Sequence, residues 1–438
     1  MSVSGALGQV PLKDIEEIIH YDSSEGLSDP VFRIQQELLN GKRTLKFERG
    51  QGYLHSLLKV LCVPVSSQTL VFSKTSSQAE QIRPRTPRAL YFSSEVYVGW
   101  APGCPVIDVA SMDPERGPIF YTLDQRPDAP ARFTRRHDCL RCHESGRTQW
   151  VPGLFVRSVR TGRDGTPLAT VQEFTSGHSS SLAVRWAGWY VSGKHVSDGA
   201  IAKGLRTLGK GQGEFHLGNL FSEPDGPDNV DVLDGANITD LRPFFDAPRY
   251  LSRHSDIVAL LVLEHQVGMH NLITHAGYET RFALAELQRK GRPLPEPNAL
   301  SLTNPWPEVR IAQTAEDLLK YMLFRDEAPL QGPVVGTSSF ANDFQRGGPI
   351  ASGHRSLRQL DLRTRLFRHP CSFLIYSSSF DALPDVIKNY LWRRLEAILT
   401  GSDTSEVFST MTAEDRRAVL EILRQTKPEF AAWLQNQK

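Results

Sequence analysis

The sequence predicts an α+β protein in which a strand-rich N-terminal half, built around a cysteine motif, packs on a mostly helical C-terminal half. Three observations carry this. Between residues 61 and 135 short runs rich in β-branched and aromatic residues alternate with Pro and Gly. Residues 255–291 form one long apolar segment with helical punctuation. The last sixty or so residues hold two amphipathic helical patterns, "PDVIKNYLWRRLEAILTG" and "TAEDRRAVLEILRQT".

Taken in order, residues 11–60 read as mainly helical, with "DPVFRIQQELLNG" carrying Pro near its start and Gly at its end. "TLVFSK", "ALYFSSEVYVGW", "VIDVASM" and "IFYTLDQ" then read as strands separated by turns. "GLFVRSVR" and "GTPLATVQEF" predict a hairpin that turns at Arg163, Asp164 and Gly165. Residues 198–250 are rich in Gly, Asp and Pro and read as long loops. "SDIVALLVLEHQVGMHNLITHAGYETRFALAELQRKG" follows, capped by Ser255 and closed by Gly291; its first half is apolar all round, which predicts a buried central helix. Residues 292–310 contain five Pro and read as a linker, and 311–327 as a further helix. The segment from Gly347 to Pro384 lacks a regular period and is expected to wrap the surface of the core. In the last helix Thr412 opens the first turn with Asp415 three residues on. The division expected is 1–60, 61–250 and 251–438, integrated in one core.

With 50 Lys and Arg against 49 Asp and Glu, the chain offers no field for nucleic acid and no polybasic membrane anchor. Its longest apolar run, "IVALLVL" at 257–263, falls short of the roughly 20 residues a bilayer span needs, so no membrane span is expected. The partners expected are a small-molecule substrate or a redox protein.

The chemistry is carried by Cys139 to His143, which read C-L-R-C-H. C-x-x-C-H is the spacing of covalent haem c attachment, in which two thiols add to the haem vinyl groups and the adjacent His ligates iron. With 5 Cys and 13 His in 438 residues such a match arises by chance in roughly two of a thousand shuffled chains, so the motif outweighs every other signal. The expectation is one covalent haem c on Cys139 and Cys142 with His143 as proximal ligand. Flanking strands set the motif apart from a small all-helical cytochrome c. A chain of this length also does more than hold a haem. The alternatives are a zinc site on the cysteine pair, with His137 or His178 contributing, and a thioredoxin-like pair, which the sequence after Cys142 does not support because it does not continue as a helix.

The second axial ligand separates an electron carrier from a catalyst. His265 and Met269 lie one turn apart on the long helix and are the candidates for the distal iron position. His265 and His270 are the candidate catalytic side chains. Glu264, Gln266, Asn271 and His275 crowd further polar groups onto this apolar helix; such groups need partners, in a distal pocket or in a polar network. His178, His195 and His216 lie in Gly-rich loops. Arg147, four residues after the motif histidine, is the expected propionate contact, and "RPRTPRALYF" carries the further arginines Arg83, Arg85 and Arg88. Arg355 to Arg368 reads as an exposed face, or as a docking patch for an acidic redox partner. Cys62, Cys104 and Cys371 can form at most one disulfide.

The stretches "LVFSKTSSQAEQIRPRTPRALYFSSEVYVGW", "RWAGWYVSGKH", "FHLGN" and "SDIVALLVLEHQVGMHNLITHAGYE" give the chain a resemblance to an uncharacterised family of bacterial exported proteins with a single c-type haem motif. The resemblance spans most of residues 50–430 and implies haem attachment at Cys139, Cys142 and His143, with no reaction attached to it. The opening MSVSGALGQVPLKD lacks a charged n-region and an apolar h-region. The expectation is therefore a periplasmic or otherwise exported chain from which a leader has been removed. The function expected is a monohaem oxidoreductase acting on a small molecule or peroxide. A six-coordinate electron-transfer or sensor cytochrome, and a haem-free zinc protein, are the other readings.

Overall fold

A seven-stranded antiparallel sheet organises the chain, in the order β6-β5-β4-β3-β2-β1-β9. The computed structural model describes residues 12–169, 173–195, 219, 237–296 and 298–436. Three helices precede the sheet: α1 (Leu12–Ile19), α2 (Pro30–Leu39) and α3 (Leu54–Val60). In α2, Asp29 accepts hydrogen bonds from the Val31 and Phe32 amides while Pro30 occupies the first turn, where its missing N–H costs nothing. The sheet strands are β1 (Thr69–Val71), β2 (Arg88–Phe92), β3 (Val96–Trp100), β4 (Val106–Asp113), β5 (Gly117–Asp124) and β6 (Phe133–Arg135). They form a meander of neighbours in sequence, and β9 (Trp189–Tyr190) joins at the β1 edge.

Register gives the sheet two different faces. Ala89, Tyr91, Val98, Trp100, Ile107 and Ile119 pack toward the N-terminal helices in one apolar core. On the other face Phe92 pairs with Tyr97, Tyr97 with Ala110, and Ala110 with Phe120, making one row. Two residues along each strand, Leu90, Gly99, Asp108 and Thr122 make a second row, more polar than the first.

The motif runs from the end of a 3-10 turn (His137–Cys139) through the single-turn α4 (Leu140–His143), after β6 and before the hairpin β7 (Val156–Ser158) and β8 (Phe174–Ser176). The hairpin tip is where the sequence placed it, with Gly165 at φ +87°. The short strand β10 (Gly193–Lys194) pairs with β11 (Val335–Gly336).

The C-terminal half is built on α5 (Ile257–Arg289), whose residues from Ile257 to Gln266 are all buried. By length and composition this helix could cross a membrane, but 94% of its most apolar window is buried inside the protein. Its N-cap is Asp256, not Ser255: the Asp256 carboxylate accepts from the amides of Val258, Thr337 and Ser338. Ser255 instead accepts from the Leu70 amide and donates to the Tyr190 carbonyl, tying the helix entrance to the sheet. Helix α6 (Glu308–Met322) packs along α5 and starts inside the expected linker, three residues before the expected helix.

Next come α7 (Phe340–Gln345), α8 (Ser378–Asp381), α9 (Asp385–Thr400), α10 (Ala413–Thr426) and a short α11 (Pro428–Asn436) that the sequence reading did not separate. Thr412 caps α10 by accepting from the Asp415 amide, as expected. The segment 347–384 does not wrap the surface. Leu357, Leu366, Phe367, Cys371, Phe373 and Ile375 are core residues, reached by irregular backbone. Of the five arginines from 355 to 368, Arg363 and Arg368 are exposed, as the sequence reading expected, and the other three are occupied. Arg358 lies over the rings of Phe344 and Phe373 and donates to Ser94, while Arg365 pairs with Asp415 and Arg355 with Glu421.

Candidate functional site

His143 is fixed from two directions by one glycine. Its ring Nδ1 donates to the Gly153 carbonyl at 2.9 Å, and the Gly153 amide donates to the His143 carbonyl at 2.8 Å. The chain returns to make this clamp because Gln149 and Trp150 both adopt left-handed backbone, φ +58° and +61°, after a capping box between Ser145 and Thr148. Only glycine fits at 153, since a Cβ there would lie 2.6 Å from Asn271 Oδ1 and 2.7 Å from Thr148 Cβ.

Asn271 comes from α5 and pairs with both polar groups of the Leu154 backbone, at 2.9 and 2.7 Å. With Nδ1 committed as donor, the histidine tautomer is set and Nε2 keeps a lone pair. Among the described residues Nε2 has no hydrogen-bond partner. The ring sits against Phe120 and Phe155, centroids 4.9 and 5.1 Å away, and burial holds its pKa below the ordinary imidazole range. It is therefore neutral at pH 7, as a metal ligand must be.

His143, Cys139 and Cys142 line one cavity of about 1060 Å³, at the upper end of the roughly 300–1,000 Å³ typical of sites for drug-sized ligands. Its floor is the sheet face just described, including Phe92, Tyr97 and Phe120. Leu154 and Phe155 close one side, and Leu263 and Val267 of α5 close another. Tyr97 is held in place by Gln266, which donates to its hydroxyl at 2.8 Å. All five cysteines are unbridged. The Cys139 thiol is pushed up to about 11 by burial, with Asp138 and Asp108 adding to the effect.

These residues fit a c-type haem. Two thiols and a neutral imidazole with a free Nε2 open on one large cavity with aromatic walls. His143 would ligate the iron, Cys139 and Cys142 would carry the thioethers, and the bound group would supply one-electron chemistry at iron.

The structure does not bring the other candidates to the motif. His265 points away from the cavity: its Nδ1 lies 3.1 Å from His178 Nδ1, its Nε2 lies 2.8 Å from the Ser372 hydroxyl, and it stacks on Phe324. Met269 is buried in the C-terminal core and does not line the cavity. His270 donates from Nε2 to the Ser94 carbonyl at 2.8 Å, and its ring meets the Tyr97 ring edge-on behind the cavity wall. The helix face that reaches the cavity carries Leu263 and Val267, four residues apart; positions 265 and 269 fall on the opposite side.

Several of the polar groups on α5 have protein partners of their own, whereas the buried Nδ1 atoms of His270 and His275 have none among the described residues. Glu264 pairs with Arg185 at 2.7 Å and accepts from Ser176, Gln266 holds Tyr97 and the Ser93 carbonyl, and Asn271 holds Leu154. Sequence alone cannot separate such a network from a distal pocket, because both need the same residue types.

Arg147 forms an ion pair with Glu173 at 2.6 Å and does not line the cavity. Arg88 does, lying flat over Gly99 and donating to Asp108 at 2.7 Å. Arg136 also lines it, bound to Asp138, and had no signal beyond its place beside the motif. His195 is buried in a loop, with its amide on the Asn237 side chain. His216 lies outside the described residues. For zinc, His137 is taken by Asp22 and His178 by His265. Among the described residues no group of three or more His, Cys, Asp or Glu is placed to hold a metal ion. Comparison of the chain with protein-family models, with curated proteins and with solved structures gave no match, so the site alone carries the functional reading.

Proposed function

We propose that the chain is an exported monohaem c-type protein that acts as an oxidoreductase on a small molecule, with haem held by Cys139, Cys142 and His143 in the cavity on the sheet face. The observation that carries this is the histidine clamp. Nδ1 is spent on Gly153, and a neutral ring with a free Nε2 lines the same cavity as both thiols. The chain's own residues prepare the place. Phe120 and Phe155 fix the ring plane, Asn271 braces the returning loop, and Leu263 with Val267 keeps that side of the cavity apolar.

Among the described residues that line the cavity His143 is the one histidine, and the reading we prefer is an enzyme with an accessible iron position over a six-coordinate carrier. Tyr97, Phe92 and Trp189 would then border the space left for a substrate. Electrons would come from or go to a partner protein.

The test is export of the chain in a host that attaches haem c, followed by a pyridine haemochrome assay on the denatured protein. Haem that stays with the polypeptide in the wild type and is lost in the C139A/C142A double variant is the expected result. Absence of covalent haem in the wild type would overturn the proposal. A ferrous spectrum unresponsive to CO would leave haem attachment standing and sink the accessible position.

A further inference from the structure

The cavity is long in one direction. His143 sits against Phe120 on β5, whereas Leu90 and Phe92, which line the same cavity, lie on β2. In the strand order β5-β4-β3-β2 that is three ladder spacings, or about 14 Å. The β2 end is thus a different part of the cavity from the one His143 occupies.

That end is apolar, and its pieces are in contact. Phe92, Trp189, Leu263 and Val267 belong to one core cluster, and Leu90 and Tyr97, both half-buried, pack against it. All six line the cavity. Phe92 and Tyr97 stack with centroids 6.5 Å apart and planes 18° apart. The polar atoms of the two polar rings are spent on protein: Trp189 donates its indole N–H to the Arg157 carbonyl at 2.8 Å, and the Tyr97 hydroxyl accepts from Gln266.

The charged residues that line the cavity are Arg88 with Asp108, paired at 2.7 Å, Arg136 with Asp138, paired at 2.7 Å, and an exposed Glu80. Two cations against three carboxylates leave no cation for an anionic ligand, and the remaining carboxylate is in contact with water. A charged ligand at the β2 end would therefore lose its hydration without gaining a counter-ion. Stacked aromatic and aliphatic side chains suit an uncharged ring instead. We infer that the β2 end of this cavity, walled by Leu90, Phe92, Tyr97, Trp189, Leu263 and Val267, is a binding subsite for an uncharged aromatic molecule of the size of phenol. The subsite stands on the cavity alone; that its occupant is the molecule oxidised or reduced rests on the haem reading.

Ligand-observed NMR at pH 7 with phenol, benzoate and benzylamine, which share a ring and differ in charge, tests this on the full chain, both haem-loaded and as C139A/C142A. Phenol is expected to bind both forms in the millimolar range, with benzoate and benzylamine at least tenfold weaker. V267F from the helix side and L90F from the sheet side fill the subsite, and each should weaken phenol at least tenfold with far-UV circular dichroism unchanged; if one fails to fold, the other decides. Equal binding of the three probes overturns the inference, as does phenol binding as tight in a folded filling variant as in the wild type. It fails equally if neither form binds phenol. Phenol binding to C139A/C142A but not to the loaded chain also overturns it, because the haem then covers this wall. Phenol binding by a wild type that carries no covalent haem leaves the subsite standing while the haem proposal falls.

Discussion

Gly153 shows how one residue without a side chain can decide the placement of an imidazole. A methyl group there would overlap Asn271 and Thr148, and the loop would have to move away from His143. Gly153→Ala is expected to cost about 1–3 kcal/mol in urea unfolding and to free the His143 ring from its acceptor, visible as a change in its NMR tautomer signature. At Glu264 the reasoning concerns charge. Glu264→Gln leaves Arg185, 3% exposed, without its counter-ion, which should destabilise the fold by about 3–5 kcal/mol in the same measurement. That Cys139, Cys142 and His143 lie together was legible because their spacing is local. Gly153 was not, since what makes it necessary is Asn271, which lies far away in sequence. Arg88 was visible only as one of several arginines, and what distinguishes it is Gly99 on the neighbouring strand.

At the scale of elements, the strands between 61 and 135 were readable because their faces alternate and their turns are punctuated. The long helix was readable from its length and its apolar first half, though its cap was misplaced by one residue. Ser255 and Asp256 are both good capping residues; the choice falls to Asp256 because Thr337 and Ser338 also need its carboxylate. Asp256→Ala should therefore cost more than an ordinary cap, about 2–4 kcal/mol by thermal or urea unfolding, whereas Ser255→Ala should leave helix initiation intact. The segment 347–384 misled for a physical reason. Irregular backbone shows no period, yet its aromatic residues are buried as deeply as those of the helices, with Arg358 neutralising its desolvation by stacking between two rings.

Across the whole molecule the histidines set the response to acid. Burial lowers His195, His270, His275 and His369 to about 4 and His178 to about 3, and holds His265 well below its usual value. Each binds a proton in the unfolded chain below about 6.5 but not in the folded one, so the unfolded state carries more protons and stability falls as pH drops from 6.5 toward 4. Glu327, raised to about 7 by burial, acts in the opposite sense between about 4.5 and 7, and Glu264 shares its direction. Counting His143 and His254, which burial also lowers, and Asp29 and Glu144, which burial also raises, eight groups against four give a net loss of stability on the acid side. Urea unfolding free energies between pH 6.5 and 4.5 should slope downward with falling pH, and His275→Gln should reduce that slope by about 1.4 kcal/mol per pH unit, the value of one proton.

The order of the parts along the chain also divides the cavity into two contributions. The first six strands are a meander of sequence neighbours and the cysteines follow them directly, so the floor and the motif come from one continuous stretch. The wall of Leu263 and Val267 arrives only with α5, much later. Exchanging that one helix face would therefore change the size of the cavity while leaving its floor and the motif untouched.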